Sequence, residues 1–516
     1  MIPAQTPAPT PAVARPEPTV EERRYAYYAL GLLAFINLLN YLDRNVIFAL
    51  FEPIKAELAL TDAQLGWLGS AYVLVFSLAA LPFGVMSDLR SRRAVIAFGV
   101  ACWSLFTVLS GMVESYTQLF ICRAAVGIGE AAFGAAAASL VADYYAKRGR
   151  SMAMGILAAG LVLGGGLGIW LGGRLGEAYG WRVAFMLVGA PGFVCAILAA
   201  RLKDPTRRHA PIALLPYLRE MKEQGLSLFR QFFPTIVGAI LGGAAAVVLD
   251  RRYGATSRID AAAFSIVAGI GFALNIALWV RQIRADRIDE TPFGGQMTGA
   301  IDGMLGSARA VLRTPTLVYV FVGGALISFG MNGLVGWAPT FVSRTLGMTT
   351  AAVSDLLGWR LLLFGALGTL VGGGLADWLR TRTEAARVIT ISAGMLIGGA
   401  LSVWLLLSRD VSLFAPLFAA AVFFLTWYNG PIVASIFDVV PARIGATVAG
   451  TYYLFIHLVG DAVALPLIGA LSDRFGIDRA VLLLPLVSML GGVIVLFAVR
   501  TVRADIGRLA PEPAAG

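Results

Sequence analysis

The sequence predicts an all-α integral membrane protein: two six-helix bundles in parallel repeat, with an extra two-helix insertion between the halves. The first observation is composition, since 14% of the 516 residues are charged and 58% are hydrophobic. So few charges cannot cover the surface of a soluble protein of this length, so the bilayer must be its main solvent. The second observation is a series of long apolar segments. The third is a weak repeat of loop motifs between the two halves.

Twelve apolar segments are long enough to cross a membrane, because a span needs about 20 largely apolar residues. The predicted spans begin near residues 26, 65, 94, 117, 152, 182, 316, 353, 388, 412, 444 and 480. Two weaker segments, 234–249 and 262–280, lie between the sixth and seventh spans. Both must cross or neither, because basic loops orient the flanking halves. We expect a peripheral hairpin beside the twelve-helix core, and a hairpin lying on the membrane surface is the alternative.

These segments divide the chain into five predicted regions. They are a disordered cytoplasmic tail (1–22), an N-terminal six-helix bundle (23–205), a central linker with the inserted hydrophobic hairpin (206–314), a C-terminal six-helix bundle (315–503) and a second disordered tail (504–516). The first tail is rich in Pro and Ala and has no apolar core. It is therefore predicted not to be a signal peptide.

The positive charges predict how the protein sits in the membrane. Net charge is +10, but the basic residues lie in short runs between apolar segments. That distribution is typical of cytoplasmic loops and not of a nucleic-acid-binding face. It predicts a multi-pass protein of the cell inner membrane with both termini in the cytoplasm. No metal-ligand spacing, nucleotide motif or nucleophile–base pair is visible, so we expect no metal, no cofactor and no enzymatic activity.

The repeated loop motifs end the second and eighth spans, where a glycine and an acid precede arginines. An acid at a helix end can bridge to neighbouring helix ends and latch the cytoplasmic side shut. The predicted gating residues are Gly84, Asp88, Arg92, Arg93, Asp377 and Arg380. The alternative is that these charges only orient the helices.

Four charges lie where lipid-buried helices normally carry none. Asp43 and Arg44 fall in the first span, and Arg123 and Glu130 in the fourth. Each ionisable side chain at the bilayer centre costs about 2.5–3.5 kcal/mol on insertion scales, so such residues usually pair and have a function. Adjacent helical residues point about 100° apart, so Asp43 and Arg44 cannot form an ideal ion pair with each other. We expect each to pair with a residue on a neighbouring helix. The pairings Asp43–Arg123 and Arg44–Glu130 are the simplest, although other permutations are open.

These charges predict proton coupling. A buried carboxylate that exchanges an arginine partner for a proton between two conformations takes up and releases that proton. Either Asp43 or Glu130 is a candidate carrier, with Arg44 and Arg123 as charge partners or substrate ligands. In the second half Asn332, His457 and Asp461 are the corresponding candidates for substrate binding or charge pairing. The alternatives are a static salt-bridge cluster and an ordinary hydrogen-bonded histidine.

Two stretches resemble a known family, the bacterial spinster-type major facilitators. They are LNYLDR from Leu39 to Arg44 and RAAVGIGE from Arg123 to Glu130, and the ADYY that ends at Tyr145 is also similar. The match is dense over residues 26–205 and thinner in the second half. Leu89 and Ser91 depart from the family's loop motif.

The resemblance implies alternating access and protonation of Asp43 and Glu130, with Arg44 and Arg123 as partners or head-group ligands. It also implies an amphipathic, lipid-like substrate such as a lysophospholipid or sphingoid. We therefore expect a monomeric proton-coupled transporter whose partners are membrane lipids, protons and a small amphiphile. The alternatives are an organic-anion:proton symporter, a multidrug efflux transporter and, from another class, a transporter-like receptor that moves nothing.

Overall fold

Among the residues that the structure describes, twelve helices are long and apolar enough to cross a membrane, which confirms the predicted fold class. The structure is a computed structural model that describes residues 19–89, 91–145, 149–204, 306–408 and 410–509, with isolated positions between 233 and 281. In the N-terminal half the spanning helices are α1 (Val20–Ala49), α2 (Asp62–Leu89), α3 (Arg92–Ser110), α4 (Tyr116–Tyr144), α5 (Arg150–Tyr179) and α6 (Trp181–Ala200).

The second half repeats the plan. Its helices are α7 (Pro315–Leu346), α8 (Thr350–Arg380), α9 (Ala386–Leu407), α10 (Val411–Asp438), α11 (Ile444–Phe475) and α12 (Ile477–Arg500). Short helices, Phe51–Leu58 and Val502–Gly507, follow α1 and α12.

Polar caps define several helix starts. Thr19 and Glu22 form a reciprocal capping box at α1, so this helix begins inside the tail predicted for 1–22. Ser115 caps α4 and Thr349 caps α8, each by accepting a hydrogen bond from a backbone N–H of the first turn.

The predicted second tail also starts later than expected. Helix Val502–Gly507 overlaps its first residues, and the Asp505 carboxylate accepts a hydrogen bond from the backbone N–H of Thr316 at 3.0 Å. Asp505 is buried by this contact, which ties the chain beyond α12 to the start of α7. The first residues of the predicted tail therefore belong to a helix that packs on the bundle.

Most of the predicted inserted segments, 234–249 and 262–280, lies outside the described residues. At the isolated positions that are described, Gly238 and Gly271 pack closely, since a Cβ built on Gly238 would be 2.8 Å from the Cα of Gly271. The two segments therefore contact each other.

The two halves share a backbone detail that supports their origin as a repeat. Gly180 joins α5 to α6 with φ +83°, and Gly476 joins α11 to α12 with φ +85°. Their ψ values, 156° and 151°, match as well. Glycine is required at both connections because side chains rarely tolerate this region of φ.

The halves meet at one end of the bundle and separate at the other. The main contacts between them are α2 with α11 and α5 with α8. Near the start of α8 a Cβ on Gly358 would be 2.9 Å from the carbonyl oxygen of Gly166 in α5, so these helices touch there. We call this the closed end.

At the opposite end the same helices diverge. A Cβ on Gly84 of α2, Gly155 of α5 or Gly373 of α8 would meet nothing within 4 Å among the described residues. We call this the open end. The described close approaches of α5 to α8 therefore lie at the closed end.

Candidate functional site

The four charges predicted in α1 and α4 form two buried pairs. Arg123 Nη1 lies 3.1 Å from Asp43 Oδ1, and Arg44 Nε lies 2.5 Å from Glu130 Oε2. These are the two simplest pairings expected from the sequence. The Arg123 side chain is fully buried and that of Glu130 is also inaccessible, whereas the Arg44 side chain keeps 11% of its surface exposed. The cluster is neutral when both acids are ionised.

The two acids differ in how completely they are satisfied. Asp43 receives Arg123 on one oxygen and the Thr107 hydroxyl, which donates to it, on the other. Glu130 receives Arg44 on Oε2, while its Oε1 is buried with no hydrogen-bond partner among the described residues. A buried acceptor without a donor is costly, and a proton on that oxygen would reduce the cost.

The environment of Arg44 is aromatic. Its guanidinium carbon lies 4.7 Å from the ring centroid of Tyr41, 5.3 Å from that of Tyr72 and 4.9 Å from that of Phe76. Cation–π attraction contributes about 0.5–2 kcal/mol per favourable contact, so the guanidinium keeps stabilising neighbours when its carboxylate partner is neutralised.

Glycines on α4 allow its neighbours to approach the charge cluster closely. A Cβ on Gly127 would be 2.9 Å from the backbone nitrogen of Phe76, and one on Gly129 would be 2.6 Å from that of Trp103. The α2 backbone is thereby held against α4, which places Tyr72 and Phe76 beside Arg44. A side chain at Gly127 would force α2 away from the pair.

A second polar cluster lies in the C-terminal half and contains all three predicted residues. Asn332 Nδ2 donates to Asp461 Oδ1 at 2.6 Å, and His457 Nδ1 lies 2.6 Å from Asp461 Oδ2. The Ser328 hydroxyl also donates to Oδ1. His457 and Asp461 bound a five-residue π-helical turn in α11, a rare feature that frequently marks functional sites.

The predicted gating residues divide between described and undescribed side chains. Arg92 forms an ion pair with Asp143 of α4, and its backbone N–H donates to Asp204 at 3.0 Å. Arg93 Nη1 is 3.4 Å from the carbonyl oxygen of Leu202. Gly84 lies at the open end with free space beside it, and the side chain of Asp88 is outside the described residues.

The latch predicted at Asp377 stays a prediction, since this conformation does not show the open end shut. The Asp377 side chain is 76% exposed, and its nearest approach to Arg387 is a long 3.9 Å. Arg380 and Arg387 instead both pair with Asp438 of α10. These contacts stay within one half, so they brace it and do not join the two halves.

Asp143 and Asp438, the acids that pair with Arg92 and Arg387, were not among the predicted site residues. The signal was available, because Arg92 precedes Asp143 by 51 residues and Arg387 precedes Asp438 by the same 51. Each pair connects the start of the third helix of a half to the end of its fourth helix. The same arginine–aspartate ion pair is therefore present at the same place in both halves.

A network of charges at the closed end was also missed. Arg344 at the end of α7 lies 2.7 Å from Asp62 and 2.8 Å from Glu52, and Lys55 lies 2.5 Å from Asp62. Asp473 of α11 accepts the backbone N–H of Asp62 at 2.8 Å. The contacts of Arg344 and Asp473 join the halves across hundreds of residues, so no local spacing pointed to them.

The same end has a second tie. Arg174 of α5 lies 2.6 Å from Asp355 of α8, and the Trp170 Nε1–H donates to the same carboxylate at 2.9 Å. Beside it, hydrogen bonds from Trp181 and Arg182 hold the pKa of Glu57 below its usual value. The closed end is therefore fastened by charge on both helix pairs that cross between the halves.

In the described part of the chain, twelve helices long enough to span a membrane form two repeated halves around buried charges, an architecture typical of membrane transport proteins. The Major Facilitator Superfamily profile matches residues 33–248, and that of the Organic Anion Transporter Polypeptide family matches residues 281–415. The chain is thus similar to the spinster-like members of the Major Facilitator Superfamily.

Relatives match along nearly the full length. An MFS-type efflux pump of Mycolicibacterium smegmatis is 27% identical over 91% of this chain and 92% of its own. The sphingosine-1-phosphate transporter SPNS2 of Mus musculus is 24% identical over 90% of this chain and 76% of its own. The crystal structure of a bacterial homologue of the human lysosomal transporter spinster, inward-facing and unoccupied, superposes with a TM-score of 0.69. It is 20% identical and covers 93% of this chain and 98% of its own, so it supports the fold.

Proposed function

We propose that the protein is a proton-coupled secondary active transporter that works by alternating access and moves an amphipathic, lipid-like substrate. The observation that supports this best is the Arg44–Glu130 pair, in which one carboxylate oxygen is bonded and the other is buried without a partner. This arrangement favours Glu130 over Asp43 as the primary proton carrier, because both Asp43 oxygens are already bonded.

Proton binding at Glu130 would change the charge of the site. Neutral Glu130 no longer balances Arg44, which leaves one positive charge among Tyr41, Tyr72 and Phe76. An anionic head group can then bind Arg44, and the aromatic rings offer apolar surface to the adjoining chain of an amphiphile. Departure of the proton restores the internal ion pair and expels the head group.

The shape of the molecule supports alternating access. The halves are fastened by Arg344 and Asp62 at the closed end and separate at the open end. The open end carries Arg92, Arg93 and Arg380, so the positive-inside rule places it in the cytoplasm. We therefore assign this conformation as inward-open, with both termini on the cytoplasmic side of the cell inner membrane.

The substrate class rests on the relatives. The mouse relative is named as a sphingosine-1-phosphate transporter, and the lysophospholipid or sphingoid type combines an ionic head with an apolar chain. An organic anion is the second candidate, because residues 281–415 match the Organic Anion Transporter Polypeptide profile. Both candidates need a cationic site, which Arg44 provides.

The test is substrate-coupled proton flux in proteoliposomes. We expect a lysophospholipid to change the luminal pH in vesicles with the wild-type protein, and Glu130→Gln to lower this flux at least tenfold. Glu114→Gln is the matched control, because Glu114 is an exposed acid in the loop before α4. Flux with a simple organic anion but not with the lysophospholipid would favour the second candidate. Equal flux in Glu130→Gln and wild type would contradict proton coupling through Glu130.

A further inference from the structure

The buried carboxylate of the C-terminal half lacks the cation that its N-terminal counterparts have. Asp461 is 5% exposed and accepts hydrogen bonds from Ser328, Asn332 and His457. Among the described residues no arginine or lysine is within ion-pair distance of it. Asp43 and Glu130, by contrast, each have an arginine. A buried charge without a counter-charge is strongly unfavourable.

Histidine is the group that can supply the missing charge. His457 Nδ1 lies 2.6 Å from Asp461 Oδ2, so with an ionised Asp461 this nitrogen carries the hydrogen. The other ring nitrogen, Nε2, is then a base, and the His457 side chain keeps 29% of its surface exposed. A proton on Nε2 makes the imidazole a cation, which would supply the charge that Asp461 lacks among the described residues.

We propose that His457, oriented by Asp461, is a second proton-binding group of this transporter. A proton from water adds to Nε2, the Nδ1 hydrogen stays shared with Asp461, and the carboxylate remains ionised. The cluster then changes from one net negative charge to a neutral ion pair. This inference rests on the proposed transport function for its role, and the proton site itself can be tested without transport.

The surroundings of the dyad are aromatic and neutral. Tyr453 stacks on the His457 ring with centroids 6.4 Å apart, and Phe76 of α2 meets it edge-on at 6.1 Å. Tyr72 of α2, Tyr428 of α10 and Tyr452 of α11 are the other titratable groups that interact with Asp461. From α7 the facing groups are Ser328 and Asn332. Among these facing groups, His457 is therefore the side chain that can become a cation by binding a proton.

Phe76 connects the two proton sites across the halves. One contact of its ring is the Arg44 guanidinium at 4.9 Å, and another is the His457 ring at 6.1 Å. Protonation of Glu130 and of His457 would each add positive charge beside this ring. An anionic head group between Arg44 and His457 would be favoured by both protons.

The chain permits a direct test because it contains two histidines, His209 and His457. A His209→Gln variant labelled with ¹³C-histidine gives one imidazole signal in nanodiscs. We expect this signal to titrate between about pH 5 and pH 8, and Asp461→Asn to move its midpoint by about one pH unit. Should Asp461→Asn fail to fold, Asn332→Ala removes one of the other donors to Asp461 and should move the midpoint by a smaller amount.

A signal that stays constant from about pH 4.5 to pH 8.5 would overturn the proposal, since it would mean that His457 binds no proton in the working range. A titration unaffected by either variant would overturn the role of Asp461. The two proposals fail in different measurements. Failure of the His457 proposal appears as a constant imidazole signal in the His209→Gln chain, whereas failure of proton coupling at Glu130 appears as unchanged proton flux in Glu130→Gln, whatever the His457 signal does.

Discussion

Asp43 and Glu130 are chemically similar residues with different surroundings, and they should respond differently to neutralisation. Asp43 fully engages Arg123 and Thr107, and the Arg123 side chain has no exposed surface. Glu130 has one oxygen without a partner, and its arginine retains three aromatic rings. We therefore propose that Asp43 acts mainly in holding α1 to α4 and that Glu130 exchanges a proton.

We predict that Asp43→Asn lowers the free energy of unfolding by about 3–5 kcal/mol, because it leaves the Arg123 charge buried without a counter-ion. Glu130→Gln should cost less, since the Arg44 guanidinium keeps its aromatic contacts. Denaturation in detergent micelles measures both. Adding Arg123→Gln to Asp43→Asn removes the stranded charge and should recover most of the loss. An Asp43→Asn variant as stable as wild type would mean that this pair is not the main tie.

At the scale of helices, close glycine contacts decide where the halves can touch. Gly358 and Gly373 lie on the same helix, α8, at opposite ends. A Cβ on Gly358 would be 2.7 Å from Trp170 Cβ, whereas one on Gly373 has nothing within 4 Å among the described residues. The crossing of α5 and α8 therefore depends on small residues at one end only.

This difference predicts opposite effects of one substitution. Gly358→Val should push α5 and α8 apart at the closed end and favour a conformation open there. Gly373→Val should leave the present conformation intact and hinder closure of the open end. Distances between spin labels on α5 and α8, at each end, measure both effects. The same distance distribution for both variants would contradict the assignment of the two ends.

Most of the fold could be predicted from the sequence, because long apolar segments must be helices in a bilayer. The paired charges of α1 and α4 could be predicted for the same reason, since few other polar groups at that depth can satisfy them. The closed-end ties could not. Arg344 meets Asp62 at a separation of 282 residues, and such pairs depend on how two rigid halves dock. The exposed position of Asp377 was likewise invisible, because the motif is the same whether the latch is open or shut.

At the scale of the whole molecule, the closed-end network holds the present conformation. Arg344 bonds both Glu52 and Asp62, and Asp62 is also bonded by Lys55 and Ser472. These groups come from both halves, and separation of the closed end must break them. Under the proposed alternating access, the network adds a charge-dependent contribution to the balance between the inward-open and outward-open states.

We predict that Arg344→Gln increases the population open at this end several-fold. Labels at Met112 and Phe475, exposed positions in opposite halves, report the distance across the closed end. Arg503→Gln is the matched control, because Arg503 is 91% exposed and lies 4.0 Å from Glu384 within one half. If the two variants gave the same distances, the network would not be a gate.

The most direct test of proton-driven alternating access is the distance across the open end as a function of pH. Labels at Met152 and Thr381 in a cysteine-free variant, in lipid nanodiscs, would be followed from about pH 4 to pH 8. We predict that a change of pH shifts the label distance between its inward-open and outward-open values. Glu130→Gln should abolish this shift, and Glu114→Gln should preserve it. Distances independent of pH in the wild type, or an unchanged pH response in Glu130→Gln, would contradict the account.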